Sequence, residues 1–463
     1  MKVLSSRAFA AILFIVAAIA LPEKVFSDAS DASAIEAHSA LQKSVESGTY
    51  PLALSDADNL LSKAEMTLGE KHPTALAILN DVAFVYKANG LYAESEALYL
   101  LAIERNVEAF GEEHLNTLRS QGDLGRLYAT AGRFEEAKPL LTQTLWARRK
   151  ALGSEHADTL ESFVALAGLY GATGRYETAE EMFLKALEAL ERTEGLEDEE
   201  TLIVVDNLGT LYHRTSRFNR ARDFLARAFD SRSRTLGAEH PATLTSMTNL
   251  GALYRDTDDF SSAEPLLEPA LDLFRKTLGP DHPNTLSAQN NLAVLYQRTG
   301  KEGEALKLLE NVYEARGKRL GETHNLTLLS LANLARANFA LNRTEVAETL
   351  LLRAAENYQE RFGPDHPKAL ASINELGGFY YQTRRFDEAA DQYQKLSEGY
   401  KRQNGREHSS TLRSLLFLAI SYREAGHDRK AEAAFADTLD ISEKLYGPEH
   451  PATQKIKEEI TKK

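Results

Sequence analysis

Apolar and polar positions follow a helical period along this chain, and the period stops and restarts at fixed places. Between Glu302 and Leu320 the apolar residues Ala305, Leu308, Leu309, Val312 and Tyr313 recur at i, i+3, i+4 and i+7, the stripe of an amphipathic helix. The stretch before it predicts a partner helix from about Pro283 to Thr299. Pro283 opens that helix at a first-turn position, where a missing N–H costs nothing, and Gly300 closes it. Between such pairs lies Leu278-Gly279-Pro280-Asp281-His282-Pro283-Asn284-Thr285-Leu286, and it keeps returning. Its glycine recurs at Gly69, Gly111, Gly153, Gly195, Gly237, Gly279, Gly321, Gly363, Gly405 and Gly447, always 42 residues apart. A fixed period of this size is the signature of a solenoid, in which each unit stacks on its neighbours.

Aligned at this period, the columns show what each position is for. The Leu of the Thr-Leu pair is leucine from Leu76 through Leu286 to Leu412. Seven residues on, the column holds only Gly or Ala (Ala83, Gly125, Ala167, Gly209, Gly251, Ala293, Ala335, Gly377, Ala419). Its counterpart on the second helix is Ser95 and then Ala137, Ala179, Ala221, Ala263, Ala305, Ala347, Ala389 and Ala431. Small residues on facing helices allow a close crossing, and a tyrosine column (Tyr86 to Tyr422, with Asn338 once) supplies the large core side chain. Unit seven looks weaker, with Asn338 and Asn342 where Tyr and Gly stand elsewhere. Pro269, interior to the second helix of unit five, is expected to kink it, whereas Pro265 lies near the first turn.

The Leu-(Gly/Ala)-x-x-Tyr, Gly, Ala arrangement resembles the tetratricopeptide repeat. The 42-residue spacing, His-Pro-x-Thr-Leu between units and Asn290-Asn291-Leu292-Ala293-Val294-Leu295-Tyr296 within one are similar to the kinesin-light-chain variety. The resemblance covers residues 34–455. It implies an all-α, right-handed superhelical solenoid of about ten helix pairs, whose first helices line a concave groove that holds peptide segments. Domain bounds expected on this reading are a secretory signal peptide at 1–27, a linker at 28–33, the repeat array at 34–450 and a polar capping helix at 451–463.

Composition changes the picture in three ways. The start of the chain has Lys2 and Arg7, an apolar run from Ala8 to Leu21, a break at Pro22 and Val25-Phe26-Ser27 before Asp28. That is the layout of a cleavable export signal, too short for a spanning helix of about 20 apolar residues. Without residues 1–27 the chain has 51 basic and 67 acidic side chains, a net of −16, which argues against binding a phosphate backbone. There is no cysteine, so disulfides, thiol catalysis and cysteine-ligated zinc are excluded. An exported chain of this kind suits the periplasm.

Candidate chemistry is sparse. Nine histidines share one column (His72, His114, His156, His240, His282, His324, His366, His408, His450), with Asp198 in the tenth place. Metal ligands sit about 2 Å from zinc, whereas equivalent residues one helix pair apart are separated by roughly 10–20 Å, so the column reads as a loop residue opening the first helix. No catalytic motif is visible, and neither an enzyme nor a cofactor is expected. The groove positions that the resemblance implies hold Asn207, Asn249, Asn291 and Asn333 in four consecutive units, with Arg126, Arg255, Arg298 and Arg336 beside them. Amides offer both donor and acceptor, and arginine grips carboxylates through paired hydrogen bonds. The expected partner is therefore a protein or an extended peptide, acidic segments included, and no nucleic acid or membrane span in the mature chain. The other reading is a structural or self-associating protein that uses its outer or terminal faces.

Overall fold

A computed structural model describes residues 29–461, so the expected export signal lies outside the described residues. It falls into two compact units, residues 1–299 and 300–463. In the first, the helices are α1 (Ala29–Glu46), α2 (Tyr50–Leu68), α3 (Pro73–Ala88), α4 (Tyr92–Phe110), α5 (Leu115–Thr130), α6 (Phe134–Leu152) and α7 (Ala157–Ala172). The same unit continues with α8 (Tyr176–Thr193), α9 (Glu199–Arg214), α10 (Phe218–Thr235), α11 (Pro241–Asp256), α12 (Phe260–Leu278) and α13 (Pro283–Arg298). The second holds α14 (Glu302–Leu320), α15 (Asn325–Ala340), α16 (Thr344–Phe362), α17 (Pro367–Gln382), α18 (Phe386–Asn404), α19 (Ser409–Glu424), α20 (Asp428–Tyr446) and α21 (Pro451–Thr461). Odd-numbered helices up to α19 open a repeat, even-numbered ones close it, and α21 follows the last pair. No strand occurs among the described residues. The fold is the all-α repeat solenoid that the 42-residue period implies.

The recurring loop is built the same way each time. Gly279 takes φ +88°, a value a side chain would resist, to turn the chain out of α12. His282 then caps α13: its Nδ1 accepts the backbone N–H of Asn284 at 3.1 Å. The same bond, 3.2 Å long, forms at His72, His114, His156, His240, His324, His366, His408 and His450. In the fourth loop Asp198 Oδ1 accepts from Glu200 at 3.0 Å, which is why aspartate can stand in. One turn on, Thr285 Oγ1 donates to the carbonyl of Gly279 at 2.8 Å, and Thr117, Thr411 and Thr453 do the same to Gly111, Gly405 and Gly447. The histidine column is thus a set of helix caps.

Crossings within pairs follow the small columns. A Cβ added to Gly209 would lie 2.6 Å from Leu225 Cγ, and one added to Gly251 2.8 Å from Leu267 Cγ. Ala137, Ala179, Ala221, Ala263, Ala305, Ala347 and Ala389 are fully buried, as are Leu202, Leu244 and Leu328. The tyrosines bridge repeats: Tyr212 Oη donates to Glu180 at 3.0 Å while the Arg217 guanidinium covers the ring at 4.5 Å and bonds the same carboxylate. Tyr128 with Glu96 and Arg133, and Tyr380 with Glu348 and Arg385, repeat this bracket.

Two expectations shift. Helix α1 begins at Ala29, so residues 29–33 are helical and are not a linker. Helix α12 runs unbroken from Phe260 to Leu278 through both Pro265 and Pro269, and α6 likewise contains Pro139.

Because each cap needs the lone pair on Nδ1, it works only with neutral imidazole. Burial lowers the pKa of His114, and burial with the nearby Lys368 lowers that of His366. The unfolded chain therefore takes up protons below about pH 6.5 that the folded chain refuses. Stability is whole above that pH and falls as acid carries these groups through their lower folded values. Replacing His114 and His366 by Asp, the cap that the fourth loop uses, is expected to flatten the melting temperature between about pH 7 and 5. An unchanged pH slope in calorimetry would show that the caps do not titrate with folding.

Candidate functional site

The first helices of unit 1 share a polar face whose side chains tie each repeat to the next. Asp81 accepts from Arg119 at 2.6 Å and Gln42 at 3.1 Å, and bonds His38 at 2.7 Å. Asn80 donates to Asp123 at 2.8 Å. Arg126 then pairs with both Asp123 and Glu161. Further along, Asn249 donates to Asp206 at 3.1 Å and Arg255 donates to Asn291 Oδ1 at 3.0 Å. Asn207 is half-buried and makes no side-chain bond among the described residues. Arg298 Nη2 reaches Asp258 at 2.5 Å while its Nη1 donates to the Arg255 carbonyl at 2.6 Å.

Unit 2 carries polar first-helix residues of its own. Arg336 is half exposed and binds Glu375 at 2.6 Å and Asn333 Oδ1 at 3.1 Å. Asn333 is 3 % exposed and Arg255, in unit 1, is 8 % exposed, so these two lie behind the surface rather than on it. Arg126, Arg298 and Arg336 keep part of their side chains exposed. Each is already held by an internal carboxylate, and Arg255 also pairs with Asp256. For Glu161, Glu375 and Asp258 this could not be seen in single columns, because they lie 35 to 40 residues from the arginines they hold; Asp123 and Asp256 are local partners.

The local fields show how closely the unit 1 side chains are confined. Burial would raise Asp123, but Arg126, Arg119 and Lys87 outweigh it and hold the carboxyl at about 2. Burial lowers the Lys87 ammonium to about 8, with Arg126 adding to the effect. Glu200, which leaves the ladder unpaired, is pushed up to about 7 by burial and by the charge of Glu161. Lys87 has no carboxylate partner among the described residues and rests over the Phe84 ring, its ammonium 5.2 Å from the centroid.

Behind this face stands a set of residues that the sequence analysis missed. Arg148, Arg232 and Arg316 are buried on second helices and donate to Ser162, Ser246 and Ser330 at 2.9, 2.7 and 2.8 Å. Arg148 also bonds Glu161, and Arg232 bonds Glu199 at 2.7 Å and approaches Asp206 at 3.6 Å, so two of them anchor polar-face carboxylates from the rear. In the intervening repeats the same pair of places holds Leu190 with Val204 and Phe274 with Ala288. The signal was an 84-residue alternation, twice the repeat. No group of residues able to hold a metal ion occurs among the described residues, and no described helix is long and apolar enough to cross a membrane.

These features define a class: an all-helical scaffold of hairpin repeats with a polar inner ladder. The chain belongs to the tetratricopeptide repeat family, whose models match residues 74–150, 198–276, 261–318, 288–360, 345–402 and 368–444, with 159–200 matching a second model of the family. Among solved structures it is similar to the nearly identical TPR-like repeats of a Podosopora anserina kinesin-light-chain candidate, at 31 % identity over 45 % of this chain and 99 % of that one, TM-score 0.42. It is also similar to a Pyrococcus horikoshii STAND protein with a tetratricopeptide repeat sensor (13 % identity, 82 % of this chain, 54 % of that one, TM-score 0.52). A Rap protein complexed with Competence and Sporulation Factor matches at 14 % identity over 74 % of this chain and 98 % of that one, TM-score 0.50. No curated protein matches.

Removing a buried arginine leaves its carboxylates uncompensated. Arg232→Leu is expected to cost about 2–3 kcal/mol in chemical denaturation. Adding Ser246→Val, which copies the neighbouring Leu190–Val204 pair, is expected to recover only the apolar part, because Glu199 and Asp206 stay unpaired. Full recovery by the double variant would mean that the arginine serves packing alone.

Proposed function

We propose that this protein is an exported scaffold that binds extended peptide segments along the polar face of its first helices. The observation that supports this reading is the ladder from Asp81 to Asn291, in which buried Asn80, Asp81, Asp123, Asp206 and Arg255 stand behind part-exposed Arg119, Asn249 and Asn291. A peptide main chain presents the complementary groups at regular spacing, and amides read it with little regard to sequence. The Rap protein of similar fold, solved with Competence and Sporulation Factor, is consistent with this use of the repeats.

The pairing of the arginines sharpens which residues would take an acidic segment. A ligand carboxylate at Arg126, Arg298 or Arg336 competes with an internal one, whereas Lys87 has none to displace. Asn207 is the amide free to bond a main chain, and Asn249, Asn291 and Asn333 act through the partners they already hold. Screening a peptide array and measuring hits by fluorescence anisotropy is expected to favour acidic peptides, with binding weakened by salt. Lys87→Ala is expected to reduce acidic-peptide affinity about tenfold, more than Arg336→Ala does, while Asn207→Ala weakens acidic and neutral peptides alike. Preference for basic peptides, or indifference to both changes, sinks the reading.

One observation favours a second surface. Trp146, the only tryptophan, is 66 % exposed on α6, with Leu100 on α4 and Leu184 on α8 also exposed. If the array yields no peptide, this outer apolar strip is the next place to look.

Export is part of the proposal. The mature chain is expected to begin at Asp28 and to be released with periplasmic contents. Intact-mass measurement on protein from its native host decides it, and a full-length mass in the membrane pellet would replace the cleaved signal with an anchor.

A further inference from the structure

Unit 1 winds far enough to meet itself. His240 Nε2 lies 2.8 Å from the carbonyl oxygen of Glu46, and His282 Nε2 lies 2.7 Å from that of Ala88. Both pairs are 194 residues apart, about 4.6 repeats. Tyr50 stacks on the His282 ring, with centroids 6.3 Å apart and planes inclined by 14°. Gly48 sits so close to Pro241 that an added Cβ would be 2.3 Å from the proline Cδ. The turn joining α1 to α2 and the end of α3 thus rest on the heads of α11 and α13.

The same contacts give histidine a second use at two of the nine caps, His240 and His282. Serine, threonine, aspartate or asparagine would cap these helices at least as well. Imidazole has a second nitrogen, and a carbonyl oxygen can only accept. With Nδ1 accepting the cap N–H, Nε2 therefore carries the proton and donates across the seam at His240 and His282. One side chain starts a helix and ties it to the preceding turn of the winding.

The seam is thin. Among the described residues it includes two hydrogen bonds, one ring stack, one glycine–proline contact and the nearness of Tyr50 to the Glu199 carboxylate. Its two sides belong to separate apolar clusters, one around Leu41, Ala57 and Val82 and the other around Val205, Leu225 and Leu253. Contacts this sparse open at far lower cost than the helix pairs they join. The polar ladder lies on first helices within the stretch of chain whose two ends this seam joins.

We propose that the seam is a latch: it closes unit 1 at the side, and a polymer reaches the polar face of α3 to α11 only when residues 46–50 and Ala88 part from His240, Pro241 and His282. The proposal rests on the inner-face reading above, but its test needs no peptide, so the two fail separately. The chain lacks cysteine, which makes thiol chemistry a clean probe. Gly168 provides the reporter position: it is exposed, stands one repeat after Arg126, and an added Cβ meets nothing within 4 Å. In Gly168→Cys protein, labelling by a polymer-linked maleimide reads latch opening, and N-ethylmaleimide reads the intrinsic reactivity of the thiol.

Adding His240→Asp and His282→Asp keeps both caps, as Asp198 shows, and deletes both seam bonds. Losing two net hydrogen bonds is expected to speed polymer labelling about tenfold or more, with N-ethylmaleimide unaffected. The converse variant adds Gly48→Cys and Pro241→Cys, whose Cβ positions lie 3.5 Å apart, within reach of a disulfide. Oxidation is expected to suppress polymer labelling at residue 168 and reduction to restore it, with the labelled position read by peptide mass mapping because the reduced thiols at 48 and 241 also react. Equal polymer rates in the parent, the aspartate variant and the oxidised variant overturn the latch. So does a change in the N-ethylmaleimide rate that matches the change in the polymer rate, because the effect is then on the thiol and not on access.

Discussion

The structure depends on one junction: a glycine in the left-handed region, a side chain that accepts the first free N–H of the next helix, and a threonine that returns a hydrogen bond to the glycine carbonyl. Because the glycine turn and both hydrogen bonds fall within the nine residues from Leu278 to Leu286, the exit angle from one pair and the entry angle into the next are set locally. Identical loops then give identical offsets. Every side chain therefore meets its counterpart in the next repeat at nearly the same place, which is why so many partners stand 37 or 43 residues apart. The polar ladder, the Tyr–Arg–Glu brackets and the seam all inherit their geometry from this loop.

Much of this was legible in the sequence, and what was not has a physical reason. The bounds of α13 and α14, the small crossing columns and the place of the histidines at the start of each first helix follow from periodicities within a repeat, where neighbours in space are neighbours in register; that the histidines cap those helices came from the structure. Arg298 and Arg336 stand out in their columns, yet a column cannot show that Asp258 and Glu375 hold them. The seam was beyond reach for a different reason. The number of repeats in one winding is set by a small rotation accumulated over several interfaces, and no single position encodes it. The start of α1 at Ala29 was missed because its Ser, Ala and Asp residues read as a linker by composition, although they are compatible with a first helical turn.

Charge is distributed with the same economy. The chain is strongly acidic as a whole, but on the inner face of unit 1 carboxylates and guanidiniums cancel in pairs, some of them held from behind by buried arginines. What remains is a polar surface with little net field, in which Lys87 and Glu200 keep ionisable groups without an ion-pair partner. Such a surface discriminates by hydrogen-bond geometry more than by attraction at a distance.

The alternation of Arg148, Leu190, Arg232, Phe274 and Arg316 along one column has a consequence for how the array can change length. A second column keeps the same beat: Glu96, Glu180, Glu264 and Glu348 alternate with Lys138, Arg222, Leu306 and Ala390. Between Arg148 and Ser330 the fold repeats every 42 residues, but the arginine–serine interface repeats every 84. Deleting or duplicating one hairpin in that stretch would bring an arginine-type interface against an apolar one and strand a guanidinium in the core. Deleting or duplicating two there would keep arginine against serine.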